Sequence, residues 1–258
     1  MVDIGSDFTF FLHDQGSLFY TTYVYCTQLN NVKKRMMMKE KLYEKIREDK
    51  EITALIKRGN ANLGVLGYTD HSAAHTVLVA TQAARILEEF GYDEHTVELA
   101  KISGYMHDIG NAINRSRHAE YGGLLANDIL KNYDLSLEDR LEIVSCISNH
   151  DESTGFSIDP ISAALIIADK TDVRRNRVRT TNKSDFDIHD RVNYAVTESC
   201  LEIDKDKKVI TLQLTIDEEI CGMYEYFDIF LGRMQMCRHA AEMLGASFKL
   251  MANGSKVL

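Results

Sequence analysis

The chain has 258 residues, 45% of them hydrophobic, and a formal net charge of −9. That is enough apolar material for one large domain or a domain with a smaller appendage, and it excludes a disordered chain. The acidic balance argues against a nucleic-acid polymer or an anionic membrane as partner. Five scattered cysteines without a CxxC pair fit reduced thiols in a cytoplasmic protein.

The first stretch is aromatic, but His13, Asp14, Gln15 and Gly16 interrupt it before it could span a bilayer. Asp3 and Asp7 stand where a signal peptide would carry positive charge. Residues 1–35 therefore read as an extension, with the natural start expected near Met36, Met37 and Met38. From Met38 to about Ala61, apolar residues at three- and four-residue spacing predict one or two amphipathic helices, ended by Gly59 and Asn60. Asp70 is the expected N-cap of a helix from His71 to about Phe90, stopped by Gly91. His71 and His75, four apart, share one face of it.

Asp93 should cap the next helix, with Val97, Leu99, Ile102, Tyr105 and Met106 turned inward. It delivers His107 and Asp108 at its end, where Gly110 lets the backbone turn away. A further helix is expected near Ser116, with His118 in its first turn and Leu124, Leu125, Ile129 and Leu130 on its apolar side. Gly122 and Gly123 within it would permit close packing. The segment from Leu135 to Asn149 is amphipathic, with Leu141, Ile143, Val144 and Ile147 as core candidates, and runs into His150 and Asp151. Pro160 suits the first turn of a nearly all-apolar helix, which should be the central buried one. Asp169, near its end, is a charge that needs a partner. Arg174, Arg175, Arg177 and Arg179 are expected to continue the same helix.

Residues 199–216 alternate around a DKDKK turn and read as a β-hairpin. A helix from Glu218 to Leu244 and a short strand in SFKLMA complete the chain. The fold class is mainly α, with a helical domain over residues 36–185 and a small C-terminal α+β appendage over 186–258.

Four His-Asp pairs occur, at residues 13, 107, 150 and 189, and only the second has an apolar helix before it and a glycine just after it. The candidate metal ligands along the helical domain are His75, His107, Asp108, His118, His150 and Asp169. Nitrogen and oxygen donors without a thiolate suit one or two divalent ions, Mn²⁺, Fe²⁺, Mg²⁺ or Zn²⁺. Two ions sharing Asp108 could clamp a phosphoryl group. The arginine cluster reads either as a solvated face or as substrate-binding guanidinium groups that recognise phosphate. The pairs at His13 and His189 read as decoys, and His95 and His239 as exposed or structural.

The order His75, His107 with Asp108, then Asp169 resembles the HD superfamily of metal-dependent phosphohydrolases, over roughly residues 68–180. His118 in HAEYGG and His150 in SNHDE resemble the members that hold a second metal. The GYP motif of the cyclic-dinucleotide branch is not in the sequence, which argues against those substrates. The resemblance implies an HD-type helical domain and hydrolysis of a small phosphorylated substrate, an ester or anhydride of a nucleotide-like compound. Asp108 would bridge the metals, and Asp151 or His71 would assist proton transfer. HTVLVA resembles the family's first motif, which favours His75 over His71 as ligand. A di-iron oxygenase of HD fold and a non-catalytic metal- or nucleotide-binding regulatory module are the alternatives, and a homo-oligomer stays open.

Overall fold

A computed structural model describes residues 42–180 and 186–257. The aromatic N-terminal stretch and the expected start near Met36 lie outside the described residues. Two helices open the described chain, α1 over residues 42–48 and α2 over Lys50–Val65. The Asp49 side chain separates them by accepting from the Glu51 and Ile52 amides as the α2 N-cap. Helix α2 does not end at Gly59 and Asn60 as expected; it runs through both. Gly59 serves close approach instead, because a Cβ there would lie 3.0 Å from the Asn111 Cβ.

Helix α3 spans Ala73–Glu89 and starts later than expected, with Ser72 as its N-cap. Asp70 shapes the entry turn by accepting from the Ser72 amide at 3.2 Å and its hydroxyl at 2.6 Å. Gly91, at φ +80°, ends the helix where a side chain would be strained. Helix α4 (Glu94–Met106) is capped by Asp93 as expected, and its five predicted inward residues are all buried. Helices α5 (His118–Leu130) and α6 (Leu137–Ser148) follow.

Two core expectations are corrected here. Leu124 and Leu141 are 66% and 49% exposed. The expected Ile129 and Leu130 of α5 are buried, joined by Gly122, Gly123 and Ala126, and the expected Ile143 and Ile147 of α6 are buried, joined by Cys146. A Cβ on Gly123 would fall 2.0 Å from the Ser148 Oγ, so the two helices meet at backbone contact there. Helix α7 (Pro160–Lys170) opens on Pro160 behind an Asp159–Ser162 capping box, and all its residues but Pro160 and Asp169 are buried. It packs against α3, α4 and α6 and is the central helix.

The chain leaves α7 at Lys170, so the arginines do not continue it. Arg174 is extended and Arg175–Arg177 form a 3-10 turn. Helix α8 (Ile188–Ala195), capped by Asp187, was not foreseen, being short and polar. Strands β1 (Val196–Asp204) and β2 (Val209–Ile216) pair as the expected hairpin. Helix α9 (Met223–Met243) crosses over to β3 (Ser247–Ala252), which pairs parallel to β2, and β4 (Ser255–Lys256) adds an antiparallel edge. Helix α9 packs on β3 and α7, and the Arg85 guanidinium donates to the Leu201 carbonyl, so the sheet is tied to the helices.

Among the described residues no helix is long and apolar enough to cross a membrane. Cys146, Cys200, Cys221 and Cys237 are free thiols.

Candidate metal centre

Helix ends converge on one point. His107 is the C-cap of α4, Asp108 begins the 3-10 turn Ile109–Ala112, and His118 opens α5. His150 follows α6, His75 lies in the first turn of α3, and Asp169 lies in the last turn of α7. Gly110 brings the two halves together, though not through an unusual turn. It has no positive φ; a Cβ there would fall 1.9 Å from the His118 carbonyl oxygen. The 3-10 turn can lie on α5 only if this residue is glycine.

The six side chains divide into two groups around Asp108. On one side the His75 and His107 Nε2 atoms are 3.3 Å apart, and Asp169 Oδ1 lies 3.4 Å and 3.7 Å from them. Asp108 Oδ2 faces this group, 3.7 Å from His75 and 3.3 Å from His107. On the other side the His118 and His150 Nε2 atoms are 3.1 Å apart. Asp108 Oδ1 faces these, at 3.6 Å and 3.9 Å. One carboxylate thus presents one oxygen to each cluster.

Every imidazole is held the same way. The Nδ1 of His107 donates to the Gly104 carbonyl at 2.8 Å, that of His118 to Arg115 at 3.0 Å, and that of His150 to Ile147 at 2.6 Å. His75 donates its Nδ1–H to Asp172 Oδ2 at 2.7 Å. With Nδ1 committed as donor, each Nε2 keeps its lone pair for the centre. Asp108 Oδ2 is buried without a hydrogen-bond partner among the described residues, a cost that a cation would remove. These residues fit divalent metal ions.

The electrostatics agree. Burial opposes ionisation of Asp108, but the adjacent His107 imidazole holds its carboxyl well below the usual range. Burial likewise opposes ionisation of Asp169, and Lys170, whose Nζ donates at 2.6 Å, outweighs it together with His75 and His107. Burial pushes His150 and His118 below the ordinary imidazole value, so both stay neutral and able to ligate.

Asp108, His118 and Asp169 of the centre line a cavity of about 500 Å³. His71 and Asp151 both line it. His71 donates its Nδ1–H to the Thr69 carbonyl at 2.7 Å, and Asp151 accepts from the Ser153 amide and hydroxyl. Of the four arginines, Arg177 reaches the cavity wall. The other three make structural ties. Arg174 pairs with Asp172, Arg175 donates to the Tyr194 carbonyl at 2.6 Å, and Arg179 binds Asn60 and the Tyr68 and Thr69 carbonyls.

Sequence reasoning passed over Arg115 and Arg233, and it set the His189–Asp190 pair aside as a decoy, yet all four residues line the cavity. No spacing signal marks the two arginines, and the His189 pair lacks the apolar helix that marks His107, since the direction of each of these segments depends on packing. His95 and His239 lie away from the centre: His95 bonds Asp139 at 2.6 Å and His239 is exposed.

Comparison with known proteins agrees with this geometry. The chain is 26% identical over 212 residues to a protein of Methanocaldococcus jannaschii named "Uncharacterized protein MJ1020", covering 73% of this chain and 80% of the relative. Residues 73–192 match the family model of the HD domain, a family of generally metal-dependent hydrolases whose domains bind divalent metals. That match spans α3 into α8 and takes in all six clustered side chains, so this part of the chain is similar to an HD domain.

Proposed function

We propose that the cavity hydrolyses a phosphate ester or anhydride of a small, nucleotide-like compound, with two divalent ions held by the six clustered residues. The observation that carries this reading is Asp108, whose two oxygens face separate clusters of imidazole Nε2 atoms. His75, His107 and Asp169 would hold one ion, His118 and His150 the other, and Asp108 both. Four imidazoles beside two carboxylates favour Mn²⁺, Fe²⁺ or Zn²⁺ over Mg²⁺, which prefers oxygen donors. Bound there, such ions supply charge stabilisation at the phosphoryl oxygens and lower the pKa of water.

The chain's own residues supply the rest. Asp151 Oδ2 lies 3.8 Å from His118 Nε2 and opens on the centre, while its Oδ1 is occupied by Ser153, so Oδ2 is the atom placed to take a proton. His71 keeps a free Nε2 because its Nδ1–H is spent on Thr69, and it serves as a second proton acceptor. Arg177 is held rigidly by the Asp172 and Asp70 carbonyls at 2.7 Å and 2.9 Å and faces the cavity as a fixed positive charge.

The test is elemental analysis of protein purified without chelator, followed by a screen of p-nitrophenyl phosphate and a nucleotide panel. Two equivalents of metal and phosphate release are expected, and both should vanish in Asp108→Ala. Full metal occupancy in Asp108→Ala would overturn the ligand assignment. A metal-loaded protein that releases no phosphate but consumes oxygen with ferrous iron would be an oxygenase. One that binds a nucleotide without turnover would be a regulatory module.

A further inference from the structure

Four cationic side chains line the cavity among the described residues, and three of them are already neutralised. Lys170 Nζ sits 2.6 Å from Asp169, Arg177 pairs with Asp172 at 3.5 Å, and Arg233 Nε sits 3.1 Å from Glu152. Arg115 differs. It makes no ion pair with a carboxylate among the described residues. Its two polar contacts, to Asn111 Oδ1 and to His118 Nε2, are both long at 3.4 Å.

The second contact matters most. Nε2 of His118 has one lone pair, and it cannot serve a metal ion and the Arg115 N–H together. A metal at His118 therefore frees the guanidinium next to the centre, where an anionic acceptor would take its place. The side chain is also braced. Arg115 lies over the Tyr68 ring with its guanidinium carbon 5.1 Å from the centroid, and Tyr68, itself 44% exposed, lines the same cavity.

Resting on the phosphohydrolase reading above, we infer that Arg115 is the residue that binds the substrate's phosphoryl group, that Tyr68 positions it, and that the substrate is a phosphomonoester rather than a polyphosphate. The charge of the cavity carries the last step. Six carboxylates and four cations line it, a formal excess of two negative charges. Two divalent ions reverse that to two positive charges, which match a monoester dianion. A triphosphate would bring further negative charge with no uncommitted cation among the lining residues left to meet it, and Asp187 and Asp190 add negative charge to the cavity wall.

The first experiment is calorimetric titration of inorganic phosphate into the metal-loaded protein, a readout independent of turnover. A charge-assisted hydrogen bond of this type corresponds to roughly ten- to a hundred-fold in binding. Arg115→Ala should weaken phosphate by that factor with metal content and thermal midpoint unchanged. Tyr68→Ala should weaken it severalfold, and Tyr68→Phe, which keeps the ring face, should restore it. Equal phosphate affinity in wild type and Arg115→Ala, or failure of the wild type to bind phosphate, overturns the assignment. A Tyr68→Phe variant as weak as Tyr68→Ala overturns the positioning role. The second experiment compares turnover of a nucleoside monophosphate with its triphosphate, and at least about tenfold preference for the monophosphate is expected. Equal or better turnover of the triphosphate overturns the monoester assignment. Protein that hydrolyses neither, yet loses phosphate affinity on Arg115→Ala, counts against the hydrolase reading and leaves the anion site standing.

Discussion

His75 Nδ1 and Asp172 Oδ2 lie 2.7 Å apart, joining the first turn of α3 to the chain just past the end of α7. Asp172 is buried and also binds Arg174 and Arg177. Its carboxyl is held below the ordinary range: burial opposes ionisation, and the His75 hydrogen bond, Arg177 and Arg174 overcome it. The carboxylate therefore fixes the tautomer of the His75 imidazole and aims its Nε2 at the candidate metal centre. Asp172→Asn should lower metal affinity by roughly ten- to a hundred-fold, as loss of such an orienting partner typically does. Competition with a chromogenic chelator measures this, and unchanged affinity would show that the surrounding helices hold His75 alone.

Gly110 gives a steric prediction. A methyl group there would sit 1.9 Å from the His118 carbonyl oxygen and 2.5 Å from the Gly122 amide, both backbone atoms that cannot swing aside. Gly110→Ala should cost about 1–3 kcal/mol and draw His118 off the centre, lowering metal content toward half. Gly232→Ala in α9 is the control, because its Cβ meets nothing within 4 Å. It should stabilise by roughly 0.5–1 kcal/mol through helix propensity. Thermal melts of the two variants should move in opposite directions.

The arginines after α7 separate into two kinds. Arg175 lies 4.5 Å over the Tyr194 ring and Arg179 bridges α2 to the turn before α3, so neither is free for substrate. Arg175→Ala and Arg179→Ala should each cost about 1–2 kcal/mol of stability, the exposed part being screened by solvent, with KM unchanged. A raised KM at normal stability in either variant would contradict this division.

Asp49 sets an acid-side stability limit. Its carboxylate caps α2 and accepts from the Tyr133 hydroxyl at 2.6 Å. Burial is the largest single influence and raises its pKa, but the bonds from Tyr133, Ile52 and Glu51 together outweigh it and lower the value. A depressed folded-state value means the stabilisation is fully present above the unfolded value of roughly 3.9 and is lost as pH falls through the folded one. Asp49→Ala should cost about 1 kcal/mol near neutral pH. Urea melts should show that difference shrinking as pH drops below 4 and vanishing in stronger acid.

The sequence by itself determined the helical order and the ligand types. Hydrophobic periodicity, the Asp93 cap, Gly91 and Pro160 are local signals, and they placed α4, α7, the hairpin and the strand at SFKLMA because each depends on neighbours within a few residues. The six His and Asp residues were legible as a set because each stands at or near a helix end or on an apolar face. Tertiary structure alone decided what lies between distant segments. It showed that Asp108 divides its oxygens between two clusters, that Asp172 rather than solvent aims His75, and that α5 turns Leu124 outward so that glycines can meet α6. It also decided that Arg115 is the cavity's uncommitted cation while three of the four predicted arginines are structural. The physical reason is range. Caps and periodicity act over one or two turns of chain, whereas the direction of a long charged side chain is set by whichever carbonyl or carboxylate the packing brings within 3 Å, and no spacing in the sequence encodes that.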